Sequence, residues 1–134
     1  MTTKIATVSD DGITISQHFG RAQFYVVVTI EDGQIVAREK RDKLGHRHFQ
    51  GEPHDETPDP RGHGFGPAAQ DRHARMVAAI SDCEALLAGG MGAGAYESMR
   101  RAGIRPIVTE IMNIDQAVKA YISGELLDHP EWLH

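Results

Sequence analysis

The run Phe24–Ile30 most constrains the fold of this chain. All seven of its residues are aromatic or β-branched, which favours a strand buried on both faces. Asp32-Gly33 follows, and Asp-Gly between two apolar runs indicates a tight hairpin turn. The next run, Ile35–Lys40, is therefore predicted to be a strand that returns antiparallel to the first.

The other predicted elements alternate between strands and helices. An earlier strand, Lys4–Val8, ends at a polar turn, and Asn113 is a predicted N-cap for a last helix that Gly124 terminates. The order is β-β-β-α-β-α-β-α. The remaining predicted elements are helix 70–81, strand 84–88, helix 95–102 and strand 105–109. The tail to His134 is expected to dock through Leu126, Leu127, Trp132 and Leu133.

The order of the elements, together with the known handedness of strand connections, predicts the sheet topology. The crossovers after the third strand are right-handed and lay strands parallel. The prediction is a single α/β domain over residues 1–134, with a mixed five-stranded sheet in the order 3-2-1-4-5 and helices on its faces. Strands 1, 3, 4 and 5 then end at one edge, here called the upper edge. Open α/β sheets bind ligands outside the carboxyl ends of their strands.

The segment 41–69 between the third strand and the first helix has a different composition. Its 29 residues hold four of the six prolines and five of the fourteen glycines. It also contains His46, His48, His54 and His63, half of the eight histidines. Imidazole suits iron, copper, nickel and zinc, so this long loop is a candidate site for a transition metal ion. A polar, solvated loop explains the same composition.

Two further segments are expected at the upper edge. In Ser16–Ala22, His18 is a candidate metal ligand and Arg21 a candidate for holding an anionic group by its fork geometry. Alternatively, Phe19 only anchors this turn on the core and His18 faces solvent. The glycines between 89 and 94 follow a strand and open a helix, so their backbone N–H groups can cradle an anion. The glycines concerned are Gly89, Gly90, Gly92 and Gly94.

The glycine run allows two other interpretations. Gly90-x-Gly92-x-x-Ala95, with Glu110 twenty residues after Gly90, satisfies a loose dinucleotide-binding fingerprint. The fingerprint strand is not the first strand, however, and the small sheet has no second nucleotide-binding half. Alternatively, the glycines only permit a tight turn. Asp10, Asp11 and Glu110 could bind magnesium, although turn chemistry explains the aspartates more simply.

Charge and cysteine content exclude several classes. The formal net charge is −5 with no lysine or arginine block, which argues against a nucleic-acid or anionic membrane partner. The single cysteine, Cys83, excludes an internal disulfide and a multi-cysteine metal site within one chain. No signal peptide or membrane span is predicted, so the expected location is the cytoplasm.

Three segments together resemble the dinitrogenase iron–molybdenum cofactor-biosynthesis family, which includes NifX-like proteins and the C-terminal domain of NifB-like proteins. They are residues 4–11 followed by 17–22 with the sequence His-Phe-Gly-Arg-Ala, residues 80–92 with Gly-Gly-Met-Gly, and Pro106–Thr109. The resemblance covers the chain apart from the histidine-rich segment.

The resemblance implies a ribonuclease-H-like α/β fold and a domain that carries an iron–sulfur or molybdenum-containing cluster without catalysing a reaction. It points to His18 and Gly20 in the first loop and to Gly89, Gly90 and Gly92 in the second. The expected partners are the cluster itself and the proteins that donate and accept it. The alternatives are a nucleotide-binding protein that uses the glycine loop and a metal-ion buffer that uses only the histidine-rich segment.

Overall fold

The computed structural model describes residues 2–43 and 67–133. Five strands form one sheet in the order β3-β2-β1-β4-β5, as the sequence predicts. The strands are β1 (Thr2–Ser9), β2 (Phe24–Glu31), β3 (Gln34–Asp42), β4 (Ala85–Ala88) and β5 (Arg105–Val108). The helices are α1 (Pro67–Ala78), α2 (Ala93–Arg101) and α3 (Ile114–Ser123), followed by a 3-10 turn (Pro130–Trp132).

Strand direction places the loops as expected. β2 is antiparallel to β1 and β3, whereas β4 is parallel to β1 and β5 is parallel to β4. The carboxyl ends of β1, β3, β4 and β5 therefore share the upper edge. At the opposite edge the β2–β3 hairpin turns at Asp32 and Gly33, whose φ values of 52° and 79° suit the predicted Asp-Gly turn.

Helices cover both faces of the sheet. The Tyr25 hydroxyl donates to the Met76 carbonyl of α1 at 3.0 Å, so α1 lies on the face where Tyr25 points. On the other face, Arg38 of β3 forms two hydrogen bonds, of 3.0 and 2.7 Å, with the Asp115 carboxylate of α3. The core between these layers is apolar and includes the whole of β4, whose four residues are all buried.

The loop is shorter than the predicted 41–69, because β3 and α1 each extend into that range. β3 continues through Asp42 because the Arg41 guanidinium is bound by the Asp82 carboxylate, at 2.7 and 2.9 Å, and by the Ala79 carbonyl. α1 begins at Pro67, whose ring presets a helical φ at a first helical position. α1 therefore runs over 67–78 instead of 70–81.

α2 also begins earlier than predicted, at Ala93 instead of Ala95, so Gly94 is a buried helical residue and not part of a loop. The start of α3 agrees with the sequence, since the Asn113 side chain accepts the Gln116 N–H at 2.9 Å. Its end agrees as well, because Gly124 adopts the left-handed conformation at φ 80°.

The outer edge of β5 is closed to further strand pairing. Pro106 has no N–H, and the outward N–H of Val108 is bound by Asp128 Oδ1 at 2.8 Å. The Val108 carbonyl accepts the His129 N–H at 2.8 Å. The segment after α3 therefore shields this edge. Leu126 and Leu133 pack on the core as predicted, but Leu127 is 65% exposed and Trp132 is 42% exposed. Among the described helices, none is long and apolar enough to cross a bilayer.

Candidate functional site

The first loop, residues 10–23, is shaped at the upper edge by its own polar groups. Asp11 Oδ1 accepts the N–H groups of Thr14 and Ile13 at 2.7 and 2.8 Å, and these bonds lower the pKa of Asp11 to about 2. Asp10 Oδ1 accepts the Gln23 N–H at 2.9 Å. The aspartates therefore serve turn chemistry. Within the described ranges, no three His, Cys, Asp or Glu side chains converge as a metal site.

The turn His18–Ala22 presents its polar side chains outward. The Arg21 and Ala22 N–H groups both donate to the His18 carbonyl, at 3.2 and 3.0 Å, and the His18 N–H donates to Ser16 Oγ at 3.1 Å. Phe19 is only 2% exposed and anchors the turn on the core, as the alternative interpretation of this segment expects. His18, Gly20 and Arg21 are exposed above it.

Two backbone hydrogen bonds join the first loop to the glycine loop, residues 89–92. The Phe19 N–H donates to the Gly90 carbonyl at 3.0 Å, and the Gly89 N–H donates to the Ser16 carbonyl at 2.9 Å. The approach is close enough to favour glycine. A Cβ on Gly89 would lie 3.0 Å from Gln17 Cα and 3.1 Å from the Ser16 oxygen. The two sequence-predicted segments therefore form one surface.

The amino terminus of α2 opens next to this contact. Gly92 is its N-cap, and no side chain caps it. The first turn of α2 contains no acidic residue, so the positive end of the helix dipole has no acidic side chain within its own first turn. The Gly89 N–H and the Gly90 carbonyl are already used between the loops. Of the other two glycines predicted to bind an anion, Gly92 lies at the helix start and Gly94 lies within the helix.

Lys43 is a charged residue beneath the first loop that the sequence did not single out. Its side chain is buried, with the ammonium donating to the carbonyls of Phe19 and Ala22 and lying 4.7 Å from the centre of the Phe19 ring. Burial lowers the pKa of Lys43 to about 8, against a smaller raising effect from Asp10. The ammonium therefore places positive charge directly under the turn that carries His18 and Arg21.

The remaining predicted ligands, His46, His48, His54 and His63, lie outside the described residues. The single cysteine, Cys83, is buried between α1 and β4, at the edge opposite the site. Burial raises the pKa of its thiol to about 12, so a thiolate is not available there.

A third contributor to the upper edge is the C-terminal strap Asp128–Leu133, which was expected to dock but was not predicted to reach this site. Leu133 forms a parallel bridge with Met91 of the glycine loop. The His129 ring stacks on Trp132, with ring centres 4.1 Å apart, and its Nε2 lies 3.9 Å from a carboxylate oxygen of Glu110. Neither spacing nor composition connects these residues, because the strap reaches them only through the tertiary fold.

These features define a small single-domain α/β protein with an exposed imidazole, an exposed guanidinium and an uncapped helix start on one surface. The profile of the dinitrogenase iron–molybdenum cofactor family matches residues 1–124, and the chain belongs to this family. The match ends before the strap.

Individual relatives are distant in sequence and similar in fold. The uncharacterized protein MJ0580 of Methanocaldococcus jannaschii is 25% identical over 123 residues, covering 92% of this chain and 88% of that protein. The crystal structure of PH0822 superposes with a TM-score of 0.65 at 23% identity, covering 97% of this chain and 99% of that one. The apo orange protein of Desulfovibrio gigas gives a TM-score of 0.61 at 18% identity, covering 96% and 93%.

The close approach at Gly89 leads to a first prediction. Gly89→Ala forces a methyl group against backbone atoms of residues 16 and 17, so we expect a loss of about 1–3 kcal/mol in the free energy of unfolding. Gly20→Ala is the matched control, since a Cβ there meets nothing within 4 Å, and we expect a change within about 0.5 kcal/mol. Urea denaturation measures both values, and equal losses would contradict the proposed contact.

Lys43 leads to a prediction on pH dependence. Its pKa is about 8 in the folded protein against an ordinary 10.5, so the unfolded chain binds more protons between these values. The contribution of Lys43 to the free energy of unfolding therefore rises with pH between about 8 and 10.5 and is constant below about 8. The stability of the wild type relative to Lys43→Met should be greater at pH 10 than at pH 7.

Urea titrations of both proteins at the two pH values test this difference. Exposed Lys119→Met controls for the loss of one positive charge. A relative stability that is the same at pH 7 and pH 10, or that falls, would show that Lys43 is not a desolvated ammonium.

Proposed function

We propose that this protein is a non-catalytic carrier of an anionic iron–sulfur or molybdenum-containing cluster, bound at the upper edge between the first loop and the glycine loop. The observation that carries the proposal is the pair of backbone hydrogen bonds between these loops. They set His18 and Arg21 beside the start of α2, where backbone N–H groups and the helix dipole favour negative charge. The ribonuclease-H-like classification stays a prediction.

The state of the only cysteine supports a preassembled cargo. Iron–sulfur clusters assembled on proteins are ordinarily held by several thiolates. Here Cys83 is buried, protonated and remote from the upper edge. A cluster that brings its own sulfides needs only charge complementarity and one or two exchangeable imidazole ligands. We propose His18 as one of these, with further ligands drawn from His46, His48, His54 and His63.

The charges around the site fit the same cargo. Arg21 offers a fork of donors above the turn, and Lys43 adds a second positive charge beneath it. The partners in this proposal are the proteins that donate and accept the cluster.

Replacing Arg21 tests the anionic character of the cargo. With tetrathiomolybdate as a simple molybdenum–sulfur dianion, we expect Arg21→Gln to weaken binding by about 3- to 10-fold, because one charge-assisted contact is lost. Arg101→Gln removes the same charge from the exposed last turn of α2 and should leave affinity nearly unchanged. Titration of the absorption spectrum under argon gives both affinities. Equal losses would indicate diffuse attraction and contradict a defined site.

Removing the histidine-rich segment separates cluster carriage from simple metal buffering. If residues 45–66 are replaced by a short glycine–serine linker, we expect weaker but persistent uptake of tetrathiomolybdate, since the two loops remain. An ion buffer built only from that segment would lose all metal binding while keeping its fold. Circular dichroism confirms the fold, and metal analysis after gel filtration measures retention. Complete loss of uptake by a folded variant would contradict the proposal.

A further inference from the structure

The His129 ring has an unusual set of neighbours at the β5 end of the upper edge. Its Nδ1 lies 3.0 Å from Glu131 Oε2, and its Nε2 lies 3.9 Å from Glu110 Oε1. Trp132 covers one face of the ring at an interplanar angle of 11°. The Nε2 atom is buried and has no hydrogen-bond partner among residues 2–43 and 67–133. One ring nitrogen is therefore satisfied, and the other is not.

Hydrogen bonds from two consecutive residues, Asp128 and His129, fix the strap beside β5. The His129 N–H donates to the Val108 carbonyl, and the preceding residue, Asp128, accepts the Val108 N–H and the Tyr96 hydroxyl at 2.8 and 3.0 Å. These bonds attach the strap to the end of β5 and leave the imidazole little freedom to turn away. Glu110, by contrast, is held loosely, with its side chain 66% exposed.

The contact with Glu131 determines the tautomer of the neutral ring. An ionised carboxylate only accepts hydrogen bonds, so Nδ1 carries the proton and donates it to Glu131. Nε2 then has a lone pair that faces the Glu110 carboxylate. Two acceptors facing each other in a partly buried place repel, and a cation between them removes that repulsion. A carboxylate on one nitrogen with the other nitrogen open is the arrangement that metal-binding histidines show.

We propose that His129 Nε2 and Glu110 hold a divalent transition metal ion such as Zn²⁺ or Co²⁺. Nitrogen and oxygen donors both lie about 2.0–2.2 Å from zinc, so two such donors at a tetrahedral angle are about 3.4 Å apart. The observed 3.9 Å requires the exposed Glu110 carboxylate to close by only about 0.5 Å. The described residues offer no third side-chain ligand, so water completes the coordination.

The ion would join the strap to the turn after β5. Because Leu133 forms a bridge with Met91, a fixed strap also supports the glycine loop. Residues 125–133 lie beyond the part of the chain that the family profile matches, whereas Glu110 lies within it. The proposed site binds a bare ion and does not depend on the cluster-carrier proposal.

The test uses the full chain and two local signals. Trp132 is the only tryptophan and stacks on His129, so Co²⁺ at the site should quench its fluorescence. In protein labelled with ¹⁵N-histidine, Zn²⁺ should shift the Nε2 resonance of His129, which is assigned by its absence in His129→Gln. Both signals distinguish this position from the other histidines.

Three variants separate the role of a metal ligand, the role of a residue that orients the ring, and the effect of removing an unrelated carboxylate. Glu110→Gln, which removes a ligand, should raise the Co²⁺ concentration for half-quenching at least about tenfold. Glu131→Gln, which only orients the ring, should raise it by about 10- to 100-fold. Glu125→Gln removes an exposed carboxylate before the strap and should have no effect. Zn²⁺ that shifts other histidine resonances but not that of His129, or equal quenching in the Glu110 and Glu125 variants, would overturn the proposal.

Discussion

The contact between the first loop and the glycine loop is the constraint on which the upper edge depends. Two backbone hydrogen bonds join Ser16 and Phe19 to Gly89 and Gly90. The absence of a Cβ at Gly89 lets the two loops approach this closely, since a methyl group there would press on the backbone of the first loop. Without this contact, His18 and Arg21 would have no fixed position relative to α2.

Several layers of the structure converge on this contact. The parallel pairing of β1 with β4 brings the two loops to adjacent strand ends. Phe19 enters the core and fixes the height of the turn, and Lys43 binds its carbonyls from below. A buried ammonium is costly to desolvate, and two carbonyl oxygens and a ring face offset only part of that cost, as the lowered pKa of Lys43 shows. The result is a rigid base under an exposed, positively charged turn.

The parts of the fold that sequence predicted are those with local causes. Alternation, the Asp32-Gly33 turn and the Asn113 cap each depend on neighbours within a few residues, so the sequence predicted the strand order and the limits of α3 correctly. The starts of α1 and α2 were predicted too late. The sequence also predicted that the turn containing His18 and the glycine loop lie at the same edge, because the topology alone determines which strand ends meet.

The parts that sequence did not reveal depend on distant partners. Lys43 lies in a polar stretch, where the sequence alone indicates a solvent-exposed side chain. Its hydrogen-bond acceptors, however, lie more than twenty residues earlier in the chain. His129 and Glu110 meet only because the strap crosses the end of β5. Leu127 was expected to dock like Leu126, but spacing in an irregular segment does not say which side chain faces the core.

Elemental analysis tests the central claim most directly. The untagged wild-type protein would be purified without oxygen, and its iron, molybdenum, copper, nickel, zinc and acid-labile sulfide would be measured together with its absorption spectrum. A cluster carrier should contain iron or molybdenum with stoichiometric sulfide, as isolated or after incubation with cluster. Zinc, nickel or copper without sulfide, or a colourless protein that takes up no cluster, would contradict it.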